Sequence, residues 1–323
     1  MPRPMKQLFV LSLIVISFFS YGQEYAFLPK WKTGDTKTVT MERRETEFRD
    51  GEIYSDTLIY NDARLKVLGE DKENYQLQIQ YENVALKAAM ELYEKMGQEM
   101  PNYKELSLVY NVNKKTGASE LANWEEVQKF MNESFDLIAQ GLSENVPEMA
   151  AFSTMIFTPI KEIFKSKENV ESYMNSEIGY LLAPFGQTLE VGKTNSVTES
   201  TENPFNKSSE IESTTNITLL EVDKAAHNCI INQEIELDLT EFKEMIKNMV
   251  QKMAQSFGAE DSTAQLATDK LDDFEMDMTN QQHITFDFES TWVTKVETTV
   301  KVTASVPGEG KRVNEVHSKV TVQ

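Results

Sequence analysis

Fifteen methionines are many for a chain of 323 residues, and Met245, Met249 and Met253 recur at every fourth position. That spacing lines one face of a helix, a stripe that Phe242 and Phe257 share. Thioether sulfur can hold soft Cu(I), and flexible methionine side chains adapt to apolar ligands or fill irregular cores. Core packing is the commoner use of such a stripe; as the alternative, an adaptable apolar surface, Met245, Met249 and Met253 are the candidate ligand-binding residues. The other reactive types are sparse or badly spaced. His227, His283 and His317 are the only histidines, and none belongs to a His-Glu-x-x-His pattern. Cys229 is the single cysteine, so no intramolecular disulfide can form. Its apolar neighbours Ile230 and Ile231 read as a buried strand.

Carboxylates are abundant, which leaves an acid pair of the glycosidase type open on residue type alone. Asp272, Asp273, Glu275 and Asp277 cluster, yet they lack the glycine and spacing of a calcium loop. They read as a solvated helix surface, with weak divalent-cation binding as the alternative. Gly141-Leu142-Ser143-Glu144-Asn145 lacks the closing glycine of a nucleophile elbow. Lys115-Thr116-Gly117 reads as a turn at a strand end, and Gly308-Glu309-Gly310 lacks the third glycine of a dinucleotide loop. No catalytic, cofactor-binding or metal-binding residue is assigned.

The elements that must carry these residues are strands and amphipathic helices. Alternation at Tyr75, Leu77 and Ile79, and again at Ile284, Phe286 and Phe288, marks half-buried strands. A Thr- and Val-rich hairpin runs from Thr291 to Ser305, reverses at Pro307-Gly308-Glu309-Gly310 and returns from Val313 to Val322. Asn123 and Glu126 form a candidate capping box ahead of Trp124, Val127, Met131, Phe135, Ile138 and Leu142, which fall on one helical face. Further helices are expected around Met149 to Phe164, over Asn169 to Tyr180, from Asp238 to Gly258 and from Ser262 through Phe274. Residues Thr194 to Asn216, rich in Ser, Thr, Glu and Asn, are either a mobile loop or a pair of exposed edge strands.

Self-comparison pairs Gly34-Asp35-Thr36-Lys37-Thr38-Val39-Thr40 with Gly192-Lys193-Thr194-Asn195-Ser196-Val197-Thr198. Downstream, Leu65 to Lys72 matches Ile217 to Lys224. The expected fold is α+β, built as two related halves. Each half is a mainly antiparallel β-sheet with an inserted group of helices packed on one face. The expected divisions are a signal peptide at 1–22, a first β-plus-helix domain at 23–184 and a second at 185–323, with the boundary near Pro184-Phe185-Gly186.

Ahead of the first domain, Arg3 and Lys6 precede an apolar run from Leu8 to Phe19, and Ser20-Tyr21-Gly22 supplies a small-residue cleavage site. This is the anatomy of an export signal. The run is shorter than the roughly 20 residues of a spanning helix. Cleavage after Gly22 would leave Gln23 first, with no cysteine there to lipidate and no integral membrane anchor. The chain carries a formal net charge of −20, and losing Arg3 and Lys6 makes it more negative. Such a surface repels phosphate backbones, which excludes nucleic acid as a partner class. The expected location is periplasmic or secreted.

The export signal, the Lys32-Thr33-Gly34-Asp35 strand start, the second start at Val191-Gly192-Lys193-Thr194 and the late Ile284-Thr285-Phe286-Asp287 together resemble exported β-rich proteins of Bacteroidota-type bacteria. Lys193 departs from that pattern, which has Asp there, and no glycine follows Phe286-Asp287. The resemblance implies an envelope or secreted β-rich protein and carries no assigned activity or catalytic residue. Two functional readings follow. One is a non-enzymatic binding or structural module whose partner is an apolar small molecule or lipid held between sheet and helices, or an envelope protein. The other is a hydrolase using acidic residues on a β-rich scaffold.

Overall fold

Thr, Val, Ile and aromatic residues at alternate positions favour a pleated surface with one dry face, and long stretches of this chain read that way. In the computed structural model they form one antiparallel sheet of eleven strands. The structure describes residues 23–82, 107–145, 161, 164–202, 210–240, 243, 275–306 and 310–323.

The strands are β1 (Glu24–Ala26), β2 (Thr36–Arg49), β3 (Glu52–Glu70), β4 (Asn74–Glu82), β5 (Ser107–Asn113), β6 (Ser119–Leu121), β7 (Thr188–Glu190), β8 (Thr194–Glu202), β9 (Glu210–Asp223), β10 (Asn228–Leu237), β11 (Glu275–Asp287), β12 (Trp292–Val306) and β13 (Gly310–Val322). The principal helices are α1 (Trp124–Asn145) and α2 (Lys167–Leu182). The sheet order is β6-β5-β4-β3-β2-β13-β12-β11-β10-β9-β8, and β1 pairs with β7 apart from it.

This overturns the α+β expectation of two halves, each a sheet with its own inserted helices. The described residues are mostly strand, 64% against 15% helix, and the strands on both sides of residue 184 belong to one sheet. The joint is the pairing of β2 with β13, from Arg49↔Arg312 to Val39↔Val322. Backbone bonds between Thr38 and Gln323 close its end at 3.0 and 2.9 Å. The halves share one sheet because their edge strands satisfy each other's backbone groups, as buried polar groups must be satisfied.

The matched sequence segments do adopt matching local structure. The Gly34 amide donates to the Val67 carbonyl at 2.8 Å, and the Gly192 amide donates to Leu219 at 2.8 Å. Both glycines have positive φ, a conformation that suits residues without a Cβ. Asp71 Oδ1 accepts from the amides of Glu73 and Asn74, as Asp223 Oδ1 does from Ala225 and Ala226. In each case the carboxylate closes a turn between paired strands. Ladder register shifts at Leu68 between β3 and β4, and at Leu220 between β9 and β10.

One end of the sheet is thickly covered. Val170, Met174, Ile178, Leu181 and Leu182 of α2 are buried on its inner face, at the three- and four-residue steps of a helix. Ser166 caps α2 by accepting from the Asn169 amide, and Glu171 holds the Leu121 amide. Tyr110 Oη donates to the Met174 carbonyl at 2.8 Å, tying β5 to α2. Aromatic rings fill the remainder. Trp31 stacks on Trp292 at 4.4 Å and meets Phe185 edge-on, while Phe27 meets Phe286 edge-on at 5.1 Å. Trp31 Nε1 donates to the buried Thr291 carbonyl.

Helix α1 starts where the sequence placed it, but its cap differs. The Asn123 amide group accepts from Val109 and donates to Ser107 and Glu126. It fastens the helix to β5 and makes no capping box. Of the Thr194 to Asn216 stretch, residues 194–202 form edge strand β8 and 210–216 the first part of β9, while 203–209 lie outside the described residues.

Candidate functional site

Of the residues proposed from sequence, Met245, Met249 and Met253 lie outside the described residues, as do residues 1–22, Asp272 and Asp273. Glu275 and Asp277 are on β11 and not on a helix; they share one sheet face two residues apart. His227 occupies a turn with φ of 54°. His283 pairs with Glu297 and His317 with Thr299, so β12 separates them. Among the described residues no group of three or more His, Cys, Asp or Glu side chains is arranged to hold a metal ion. Cys229 is fully buried, and burial pushes its thiol up to about 12. A thiol so held is not a nucleophile at neutral pH.

Among the described residues, the carboxylates with a resolved shift all move downward. Arg44 bonds Asp56 through two nitrogens and holds its carboxyl at about 2. Backbone amides hold Asp71 and Asp238 below the usual range, and Lys295 and Lys301 do the same for Glu297 and Glu315. A general acid must keep its proton near neutral pH, which requires a shift in the other direction. The acid-pair reading therefore gains nothing from the described carboxylates.

A different site emerges on the inner face, beyond the end filled by α2 and the aromatic rings. On β11 the inner residues are Met276, Met278, Asn280 and Gln282, running into buried Ile284. Strand pairing sets Val302 beside Met278, Val300 beside Asn280 and Thr298 beside Gln282 on β12. Val316 lies beside Val300 on β13, and Ile235 on β10 lies beside Asn280. These side chains are half-buried, whereas Asp277, Thr279, Gln281 and His283 on the opposite face of β11 are exposed. The inner surface is thus a continuation of the core lined by Met, Val and Ile.

Three amides interrupt that lining. Gln233 faces Gln282 across the β10–β11 pair, with Asn280 two residues away. The side-chain oxygens of all three are buried and have no hydrogen-bond partner among the described residues. An unsatisfied buried acceptor costs about 1–3 kcal/mol, so three together mark a place that favours a donor. A groove of about 420 Å³ opens at the turn end of the same strands, lined mostly from the opposite face by Glu275, Asp277, Thr303, Ser305 and Lys311, with Met276 and Lys243.

Sequence reasoning missed this surface. Met276, Met278, Asn280, Gln282 and Ile284 alternate with polar residues, which is a strand signal. The acidic residues just before them drew the helical reading past its end.

No protein-family profile matches the chain, and no curated protein is significantly similar to it. Solved structures resemble it weakly, two of them as follows. An outer membrane channel from Pseudomonas putida F1 is 8% identical, with a TM-score of 0.24 over 94% of this chain and 98% of that one. Ail, the attachment invasion locus protein of Yersinia pestis, is 4% identical, with a TM-score of 0.14 over 90% of this chain and all of that one. Likeness at this level carries no argument about fold or function.

Proposed function

We propose that this is an exported, non-enzymatic binding protein of the bacterial envelope. Its ligand is an apolar or lipid-like molecule with a hydrogen-bond donor, held against the inner face of the sheet. The observation that carries the reading is the half-buried strip of Ile235, Met276, Met278, Val300, Val302 and Val316, interrupted by three amide oxygens that have no partner among the described residues. Ligand pockets of this kind are mostly apolar, with a few polar groups that fix orientation. The apolar run behind Arg3 and Lys6 supports export, and the resemblance to exported β-rich proteins points the same way.

Native mass spectrometry of the mature protein purified from its own envelope tests this. The expected result is a co-purifying apolar species that is lost from a Met278→Asp variant whose circular dichroism is unchanged. Recovery of bare protein that also takes up no apolar fluorescent probe would overturn the reading.

A further inference from the structure

Hydrogen-bonding capacity on the inner face is one-sided. Gln233 is only 9% exposed, set between buried Ile217 of β9 and Gln282 of β11. Its Oε1, Gln282 Oε1 and Asn280 Oδ1 are shut off from solvent without a partner among the described residues. Gln233 and Gln282 are directly opposed, so their Cβ atoms stand about 5 Å apart. Asn280 lies two residues along β11 on the same face, about 7 Å away. Thr298 of β12 and Ser318 of β13 continue the row as half-buried hydroxyls. Three acceptors thus share one small patch with nothing to accept.

The patch is also uncharged. Asn280 is flanked by Ile235 on β10 and Val300 on β12, with Val316 beyond on β13. Past them on this face come Arg43 and Glu45 of β2, which pair with each other at 2.6 Å. They lie three strands from β11, about 14 Å at ordinary strand spacing. Arg312 is two strands from Met276, at the turn end. Glu234, Glu236, His283, Glu297 and Lys301 belong to the opposite, exposed face. A carboxylate or phosphate set against the three oxygens would meet more acceptors and no cation, and would lose its hydration with nothing to replace it. The strip has a direction as well. Toward Ile284, 1% exposed, the face is filled core, whereas Met278, Met276 and Val302 in the other direction are half-buried. From Asn280 to Met276 is about 13 Å of strand.

Given the ligand surface proposed above, on which this rests, we infer that the ligand carries a neutral head with at least two O–H or N–H donors. The head sits on Gln233, Asn280 and Gln282, and an acyl tail runs along Met278 and Met276 toward the turn end. A monoacylglycerol or a fatty amide meets this description; a fatty-acid anion or a phosphate-headed lipid does not. The three oxygens destabilise the free protein and are satisfied only in the complex. They therefore select the head, while the apolar strip holds any chain.

The test is displacement of an apolar fluorescent probe from the mature protein by ligands that share one chain: decanoylglycerol, decanamide, methyl decanoate and decanoate. The two donor-bearing heads should compete about tenfold or more better than methyl decanoate, as one satisfied buried acceptor would give, and decanoate should be weakest. An Asn280→Leu/Gln282→Met variant should unfold at higher urea and still take up the probe, with decanoylglycerol and methyl decanoate now competing equally. Failure of the probe to bind the unmodified protein would overturn the ligand surface and the head assignment together. Probe binding with no preference among heads, with decanoate preferred, or with the preference intact in the variant would overturn the head assignment alone. So would a variant less stable in urea, because the oxygens would then already have partners.

Discussion

Asp56 illustrates how this protein uses its charge. Its carboxyl accepts from two nitrogens of Arg44 and from Thr46, and its folded pKa of about 2 lies below the ordinary 3.8. A depressed carboxyl stabilises the fold above its unfolded pKa and loses that contribution as pH falls through the folded value. The pair thus acts at neutral pH and fades between about 4 and 2. A carboxyl-carbon NMR titration should find the Asp56 midpoint near 2, and Arg44→Ala should return it toward 3.8. Glycines offer a second contrast. Gly186 has φ of 76°, and a Cβ there would collide with the Thr116 backbone; Gly34 has φ of 94° and open space around it. Gly186→Ala should cost about 3 kcal/mol, from backbone strain and overpacking. Gly34→Ala should cost only about 1–2 kcal/mol, from its left-handed backbone. Urea denaturation of the two variants checks the order.

At the scale of elements, most strands and α2 could be read from alternation and turn residues. Leu108, Tyr110 and Val112 alternate into the core, Asp71 and Asp223 close turns between paired strands, and Val170, Met174 and Ile178 form the buried face of α2. What could not be read was which strand lies beside which. Alternation in Thr38 to Phe48 defines two faces of β2 but says nothing about β13 as its neighbour, because backbone pairing carries no side-chain signature. The capping role assigned to Asn123 failed for a related reason, since the sequence did not show that β5 would offer its amide a competing partner. The inner-face site was legible only in part: Met276 to Ile284 shows its period, whereas the amide trio exists only once β10 and β11 are paired. Trp31 is the clearest tie between elements. Its stack on Trp292 and its bond to Thr291 anchor the segment before β2 onto the β11–β12 turn. Trp31→Ala should lower unfolding free energy by about 3–5 kcal/mol, measured from the urea midpoint and slope.

The whole molecule is a sheet unequally clothed. One end carries α2, the aromatic cluster and buried Leu65, Leu77, Ile231 and Phe286; toward the other end even alternating side chains are exposed, as along Glu52 to Asp62. Local stability should follow this gradient. Amide exchange should be slowest at Leu65, Val67, Leu77 and Ile284 and at least about a hundredfold faster in the turn-side halves of β3 and β11, as a difference of about 2.7 kcal/mol in opening free energy would give. Uniform exchange along β3 would contradict it.

The pairing of β2 with β13 also dictates the order in which the fold can be made. Hairpins such as β3–β4 and β12–β13 join neighbours in the chain and can form as soon as both strands exist. The seam at Thr38 and Gln323 joins residues from opposite ends of the described sequence, and contacts of that separation form slowly. A chain emerging N-terminus first would hold β2 with one side open until β13 followed, so the centre of the sheet is the last part of it to close.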